Sequence, residues 1–298
     1  MSVLRDVLLK DGYGNSVIPL VTPKADEPYN TAVGAFMDAF DAKAASLLMT
    51  NTSAAAPSGS GTTASTAHDL LKLTVAALGY DELNRIWSAR TKTITTRNSV
   101  SRTITLTTTV TSSSFEDYYM LLAGKTGSMG TANALVVVGL CEDTLCAGAI
   151  IGAAQAGNRF PAMKELFDIA KIALNGGDTS GESVTNALGA AVCVVPRYPA
   201  LYDARELETL FTQAASTVAS QASVTKVLTA ITALDYLKDL DELITMTEDD
   251  VAVGGSGAVF QTGDIVSYRD LLYAMMLPSS NMAAHALAHN VGNIILGQ

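Results

Sequence analysis

Two apolar segments joined by a short turn constrain the fold more than any other part of the sequence. They span residues 134–139 and 147–151, and the turn lies at residues 142–144. Their apolar residues follow one another instead of alternating with polar ones, which is typical of strands buried on both faces. We therefore predict a β-hairpin within an antiparallel sheet that has helices on its faces.

Other segments are predicted to be helices, mostly from apolar residues at three- and four-residue steps. They are residues 31–48, 65–78, 161–174, 223–237, 268–277 and 282–289. Ser65 is the predicted N-cap of the second of these helices. Two more strand regions are predicted, a polar, Thr-rich hairpin over residues 91–114 and an apolar strand at residues 190–195.

The order of these elements predicts an α+β fold in a single domain of residues 1–298. A sheet-bearing part, residues 91–222, lies between mainly helical parts at residues 1–90 and 223–298. Residues 176–186, rich in Gly, Asp, Ser and Thr, form the clearest linker. A chain of 298 residues is long enough for one large domain with a sizeable core.

Charge and composition exclude several classes of protein. The net charge of -10 argues against a nucleic-acid partner, because phosphate binding needs a basic surface. No segment reaches the ~18 uninterrupted apolar residues of a membrane span, so no transmembrane segment is expected. Residues 1–6 lack the basic start and apolar run of a signal peptide. Cys141, Cys146 and Cys193 are predicted to be buried thiols. A single disulfide between two of them is the alternative, and the sequence does not decide which pair would form it.

A serine and a lysine stand three residues apart at the start of the helix predicted from residue 223. This spacing puts Ser223 and Lys226 on the same side of a helix, within reach of each other. A serine hydroxyl becomes a good nucleophile when a base takes its proton, and a desolvated lysine with a lowered pKa is such a base. The pair also occurs on ordinary helices, so its meaning depends on the motifs around it.

Two further short motifs accompany this pair. Ser279-Ser280-Asn281 lies in a turn between two predicted helices, and Lys125-Thr126-Gly127 lies at a predicted strand edge. The trio S-x-x-K, S-x-N and K-T-G is typical of penicillin-binding proteins and class A β-lactamases. The segments 30–52, 57–59, 65–70 and 271–284 also resemble the serine-type D-alanyl-D-alanine carboxypeptidases. These are low-molecular-weight penicillin-binding proteins with the β-lactamase/transpeptidase-like fold.

The order of the motifs departs from that family, whose members run S-x-x-K, S-x-N and then K-T-G. Here K-T-G comes first, as a circular permutation would produce. The linker 176–186 would then join the family's C-terminal helix to its first strand at residues 190–195, and the new ends would lie close together. A piece of a tandem array, an exchange of halves between two chains and an engineered permutant are the alternatives.

The resemblance implies catalytic roles for several residues. Ser223 would attack the carbonyl carbon of the penultimate D-alanine, and Lys226 would accept the proton of its hydroxyl. Ser279 would bridge Lys226 and Lys125 and relay a proton to the departing nitrogen. The backbone N–H groups of Ser223 and Ser128 would form the oxyanion hole.

The resemblance also implies how substrate is bound. Asn281 would hold a substrate amide, and Lys125 and Thr126 would bind the terminal carboxylate. Gly127 would let the strand edge approach the ligand closely. The implied activity is a serine D,D-carboxypeptidase outside the cytoplasm that trims peptidoglycan stem peptides, is acylated by β-lactams and needs no cofactor.

Two other functions are compatible with the same motifs. A serine β-lactamase would need a group that speeds deacylation, typically a glutamate on a loop between the second and third motifs. Glu27, Glu82 and Glu116 lie in that region of this sequence, but none has a recognisable context. A binding or sensor protein without catalysis would keep the fold but release no D-alanine.

The remaining polar residues are given ordinary roles. His285 and His289 are four residues apart on a helix but lack a third ligand, so no metal site is predicted. His68 is expected on the surface at a helix start, and residues 248–250 are expected to form a solvated acidic turn. Met275 and Met276 are expected in the core.

Overall fold

The computed structural model describes residues 28–297 except residues 202, 206, 258 and 259. The expectations for Glu27, for a missing signal peptide and for the positions of the chain ends lie outside the described residues.

The helices of the described residues lie mostly where the apolar periodicity predicts them. In chain order they are α1 (Pro28–Ser46), α2 (Ala67–Ala77), α3 (Asp81–Trp87), α4 (Ser113–Glu116), α5 (Arg159–Leu174), α6 (Thr225–Leu234), α7 (Glu248–Ala252), α8 (Tyr268–Met276) and α9 (Asn281–Leu296). The short helices α3, α4 and α7 have no counterpart among the predicted ones, because they are too short to show a periodic pattern.

The strands are β1 (Ser53–Ala54), β2 (Thr63–Ala64), β3 (Thr91–Thr95), β4 (Thr103–Thr107), β5 (Met120–Met129), β6 (Ala132–Cys141), β7 (Thr144–Ala153), β8 (Gly189–Val194), β9 (Thr209–Gln213), β10 (Leu243–Thr245) and β11 (Ile265–Ser267). Strands β5 to β9 form one antiparallel sheet in the order β5-β6-β7-β8-β9. The predicted apolar hairpin is confirmed as β6 and β7, and the Thr-rich hairpin is confirmed as the β3–β4 pair.

Both faces of the five-stranded sheet are covered by helices, as the continuous apolar strands predict. Helix α5 packs on one face, where Met163, Leu166 and Phe167 are fully buried. Helix α2 packs on the other face and connects the sheet to the helical part of the core. Helices combined with antiparallel sheets confirm the predicted α+β class.

Helix α6 lies in the middle of the helical part, and all its residues from Thr225 to Ala233 are buried. Helices α1, α2, α8 and α9 pack around it. Helix α6 is therefore held from several sides, which gives the residues at its N-terminus a fixed position. Among the described residues, no helix combines the length and apolar character that a bilayer crossing requires.

Two local predictions are wrong. The N-cap of α2 is Thr66, whose hydroxyl accepts a hydrogen bond from the Asp69 amide at 3.1 Å, while Ser65 forms an isolated β-bridge with Ala219. Residues 248–250 start α7, where Glu248 and Asp249 are exposed as predicted but Asp250 is fully buried in a capping box with Thr247. A carboxylate that caps a helix is hydrogen-bonded and can be buried, whereas a solvated turn keeps its carboxylates in water.

Other local predictions are confirmed. Met275 and Met276 lie in the core. Cys141, Cys146 and Cys193 are buried, unpaired thiols. His68 lies in the first turn of α2 as predicted, but it is half-buried instead of lying on the surface.

Candidate active site

The nucleophile candidate lies on a short 3-10 turn that leads directly into α6. This turn spans Ala222–Val224, and Ser223 at its centre is partly exposed. One turn of helix later, the Lys226 side chain points back, and its Nζ lies within hydrogen-bond distance of Ser223 Oγ, at 2.9 Å. The i, i+3 spacing thus brings the hydroxyl and the amine into contact.

The second motif occupies the turn between α8 and α9. Asn281 is the first residue of α9, and the Ser280 hydroxyl caps this helix by accepting a hydrogen bond from the Ala283 amide at 3.2 Å. The Asn281 side-chain oxygen accepts a hydrogen bond from Lys226 Nζ at 2.9 Å. The S-x-N turn therefore meets the S-x-x-K helix at the lysine amine.

The third motif lies on β5, an edge strand of the five-stranded sheet. Lys125 Nζ donates to Ser279 Oγ at 2.9 Å, which joins the K-T-G strand to the S-x-N turn. The neighbouring Thr126 hydroxyl shares a hydrogen bond with Thr109 at 2.7 Å. The structure therefore brings the three motifs together in one place, although 154 residues separate Lys125 from Ser279 in the chain.

Two glycines let the backbone close tightly around Ser223. A Cβ atom on Gly127 would lie 2.2 Å from the Gln221 carbonyl oxygen and 3.2 Å from the Ser223 nitrogen. A Cβ on Gly59 would lie 2.1 Å from the Ala222 carbonyl oxygen, and Gly59 also has a positive φ of 74°. Neither approach leaves room for a side chain, so both positions require glycine.

The amine of Lys226 is buried among polar atoms. It contacts the Ser58 carbonyl oxygen at 2.7 Å, besides its bonds to Ser223 and Asn281. Burial, together with the positive charge of Lys125, lowers the pKa of Lys226 well below its ordinary value of 10.5. The site therefore favours the neutral amine, the form that can take a proton.

Lys125 is also fully buried. Burial and the nearby guanidinium of Arg159 lower the pKa of Lys125 to about 7. Arg159, at the start of α5, donates to the Gly127 carbonyl at 3.1 Å and to the Ser128 hydroxyl at 2.7 Å. Among the described residues, no carboxylate forms an ion pair with Lys125, Lys226 or Arg159.

One contact of the structure differs from the expected one. Ser279 is predicted to bridge both lysines, but its hydroxyl bonds Lys125, while Lys226 bonds Ser58, Ser223 and Asn281.

The other candidates from the sequence belong to none of the three motifs. Glu82 pairs with Arg85 and Arg269, and Glu116 pairs with Arg90. Of the two histidines, His285 contacts Ser58, and His289 lies 3.5 Å from Asp250. Within the described ranges, no group of three or more His, Cys, Asp or Glu side chains is placed to hold a metal ion.

Three contributors to the site carry no motif of their own. The Ser58 carbonyl, the Arg159 guanidinium and the Thr109 hydroxyl all contact motif residues. Only the segment containing Ser58 had a signal in the sequence, through the resemblance of residues 57–59. A backbone carbonyl or a distant arginine leaves no spacing pattern that would reveal its contact.

Comparison with known proteins points to one class of serine enzyme. Residues 200–294 match the Beta-lactamase enzyme family, a segment that contains Ser223, Lys226, Ser279 and Asn281. This match supports a serine hydrolase of the β-lactamase and penicillin-binding protein superfamily. The K-T-G strand lies outside the matched residues.

Over 90 residues, the chain is 41% identical to the D-alanyl-D-alanine carboxypeptidase of Streptomyces sp. (strain K15). The match covers 28% of this chain and 31% of that protein, so the chain spans about a third of the length of this curated relative. No solved structure gave a significant match.

Proposed function

We propose that the protein is a serine D,D-carboxypeptidase. It removes the terminal D-alanine of peptidoglycan stem peptides through an acyl-enzyme on Ser223, and penicillin acylates the same hydroxyl. The observation that carries this proposal is the Ser223 hydroxyl 2.9 Å from a buried lysine amine of lowered pKa. The partial likeness to a D-alanyl-D-alanine carboxypeptidase supports the choice of substrate.

The hydrogen bonds of Lys226 fit a neutral amine. A neutral amine has two N–H donors and one lone pair. The Ser58 carbonyl and the Asn281 side-chain oxygen accept the two N–H groups. The lone pair is then left for the third neighbour, the Ser223 hydroxyl. Lys226 takes that proton as Ser223 Oγ bonds to the substrate carbonyl carbon.

The leaving group needs a proton when its C–N bond breaks. The Lys125 amine, with a pKa of about 7, is hydrogen-bonded to the Ser279 hydroxyl at 2.9 Å. A group whose pKa is near neutrality is a good proton donor at neutral pH. Lys125 therefore protonates the departing D-alanine nitrogen through Ser279. Water then attacks the ester carbonyl carbon, and the departing Ser223 oxygen takes its proton back from Lys226. The proton lost by the water returns to Lys125, so both lysines regain their starting states.

The charge of the cleft favours a substrate with a free carboxylate. Lys125 and Arg159 lie close enough for Arg159 to lower the pKa of Lys125, and neither has a carboxylate partner among the described residues. Buried positive charge without a partner is costly, and a bound anion relieves that cost. The terminal carboxylate of the peptide supplies this anion beside Thr126, and Asn281 holds a substrate amide.

The oxyanion hole of this proposal uses the backbone N–H groups of Ser223 and Ser128. Gly127 brings the β5 edge close to the Ser223 nitrogen, since its added Cβ would lie 3.2 Å away. In other hydrolases one such donor is worth roughly 3 kcal/mol.

We also propose that the fold is a circularly permuted single domain. Strands β7 and β8 are neighbours in the sheet, and α5 and residues 175–188 connect them. In the proposed permutation, β7 corresponds to the family's last strand and β8 to its first strand. Action on peptidoglycan would place the protein outside the cytoplasm, and a solution mass would separate a closed monomer from a dimer with exchanged halves.

A serine β-lactamase is the second candidate, because the family matched by residues 200–294 carries that name. Nitrocefin turnover distinguishes the two functions. Fast, repeated hydrolysis favours the lactamase, whereas a long-lived adduct favours the carboxypeptidase. Glu82 and Glu116 are held in ion pairs with arginines, so neither is free to activate a deacylating water.

Mass spectrometry after penicillin treatment tests the main proposal. We expect one penicilloyl adduct per chain, mapped to the peptide that contains Ser223, and release of D-alanine from diacetyl-Lys-D-Ala-D-Ala. An adduct without D-alanine release would indicate a penicillin-binding sensor. No adduct in a folded sample would contradict the proposal.

Replacing Gly127 with Ala is expected to slow acylation by about 100-fold, because a shift near 1 Å at a reacting group costs that much. The added Cβ would lie 2.2 Å from the Gln221 carbonyl, so the strand must move away from the Ser223 turn. The rate with a fluorescent penicillin measures the effect. Gly157→Ala, where nothing lies within 4 Å, is the matched control. Equal rates in the two variants would contradict the close approach.

A further inference from the structure

His285 lies next to the lysine site but belongs to none of the three motifs. It stands one helical turn after Asn281 on α9, and its Nε2 is 3.3 Å from the Ser58 hydroxyl. Ser58 is fully buried, and its carbonyl oxygen accepts a hydrogen bond from Lys226 Nζ at 2.7 Å. One residue, Ser58, thus contacts the histidine through its side chain and the lysine through its backbone.

Two separate elements hold the Lys226 amine. One is α9, through the Asn281 side chain, and the other is the loop of residues 57–59, through the Ser58 carbonyl. The hydrogen bond between His285 and Ser58 joins this loop to α9 directly. The loop is also tied to α6, because the Pro57 carbonyl accepts a hydrogen bond from the Thr229 hydroxyl at 2.7 Å.

We propose that His285 is a positioning residue. It ties the 57–59 loop to α9, and so it shields the Lys226 amine from water and keeps that amine oriented towards Ser223. This inference rests on the proposed function, because it assigns His285 a part in making Lys226 a base. His285 itself touches neither the substrate nor the reacting hydroxyl.

The charges around His285 suit this role. Burial and the charge of Lys226 lower the pKa of His285 to about 4, and Asp250 on α7 acts in the opposite direction. Lys226 in turn faces Lys125 on β5, whose charge lowers the pKa of Lys226. His289 lies beside Asp250 on the far side. At neutral pH His285 is therefore neutral, and it joins the loop to α9 without adding a cation.

Removing the imidazole breaks the hydrogen bond between His285 and Ser58 and so releases the 57–59 loop from α9. Water should then reach the Lys226 amine. Hydration stabilises the charged form of an amine, so the pKa of Lys226 would rise towards 10.5. Acylation needs the neutral amine, and the rate falls as the pH drops below the pKa of Lys226. A raised pKa therefore moves this acid limb of the acylation rate to higher pH.

The test is the pH profile of acylation by a fluorescent penicillin for His285→Leu and His285→Gln. We expect His285→Leu to move the acid limb upward by about one pH unit, the size of shift that a change in hydration produces. His285→Gln should keep the wild-type profile, because its amide reaches Ser58 and carries no charge. The 13Cε chemical shift of Lys226 in lysine-labelled protein reports the same pKa without turnover.

Two further variants separate positioning from general stability. Ser58→Ala keeps the carbonyl but loses the hydroxyl, so it should move the acid limb as His285→Leu does, and the double variant should move it no further. His289→Gln changes a histidine that contacts Tyr29 and Asp250, not the loop, and should leave the limb in place.

An unchanged Lys226 pKa in His285→Leu, by rate and by 13C shift, would overturn the inference. An equal shift in His285→Gln would also overturn it. The proposed function fails separately, if penicillin leaves no adduct on Ser223 of the wild-type protein.

Discussion

Ser223→Ala is expected to abolish the covalent penicillin adduct completely. The variant keeps the 3-10 turn, the buried Lys226 and the K-T-G edge, but it lacks the oxygen that forms the ester. No other hydroxyl lies within hydrogen-bond distance of the Lys226 amine among the described residues, since its other partners are the Ser58 carbonyl and the Asn281 amide oxygen. The loss is measured by intact-protein mass after treatment with penicillin.

The matched control is Ser128→Ala. Ser128 has an exposed hydroxyl at the same cleft, bonded to Arg159 at 2.7 Å, and its proposed role uses the backbone N–H. We expect Ser128→Ala to keep the adduct. Circular dichroism verifies that both variants fold. A penicilloyl adduct on folded Ser223→Ala would show that the nucleophile is another residue.

Much of the site follows from short-range patterns. The i, i+3 spacing of Ser223 and Lys226 predicts their contact, because helix geometry alone puts these side chains on one side. The apolar segments at residues 134–139 and 147–151 likewise predict the buried hairpin that supports β5. Such features depend on neighbouring residues, so they can be read without knowing the rest of the fold.

The parts that sequence patterns missed depend on distant contacts. The Ser58 carbonyl reaches Lys226 across 168 residues of chain, and a backbone oxygen is the same in every residue type. Arg159 is a single arginine at a helix start, and only the packing of α5 brings it beside Gly127. Three consecutive acidic residues predict a solvated Asp250, yet the capping box that Asp250 forms with Thr247 allows its burial.

Motif order along the chain does not matter to this chemistry. The contacts that assemble the cleft are side-chain hydrogen bonds between α6, the α8–α9 turn and β5. Each of these elements is held by its own packing, α6 among helices and β5 along β6. A K-T-G strand that precedes the serine in the chain can therefore present the same groups as one that follows it.

Lys226→Met is expected to slow acylation by roughly 10³-fold, within the range that a general base contributes. Methionine has a similar length, but it cannot accept the Ser223 proton. The wild-type rate should fall as the pH drops through the lowered pKa of Lys226, because the protonated amine has no lone pair. The variant should lack this acid limb. The rates are measured with a fluorescent penicillin across the pH range.

Stability gives a second readout that does not depend on activity. The unfolded chain binds a proton at Lys226 that the buried site excludes, so the wild-type stability should rise with pH between the lowered pKa and 10.5. Lys226→Met removes this contribution and should show a smaller rise. Part of the rise should persist, because the pKa of Lys125 is also lowered, to about 7.

Lys72→Met separates the loss of a base from the loss of a buried lysine. Lys72 is as enclosed as a core residue, but it pairs with Asp69 and bonds the Leu48 carbonyl, away from the cleft. Its removal should lower the melting temperature, since Asp69 loses its ion pair, and should leave acylation per folded molecule unchanged. A Lys226→Met protein that acylates within tenfold of the wild-type rate would mean that another group activates Ser223.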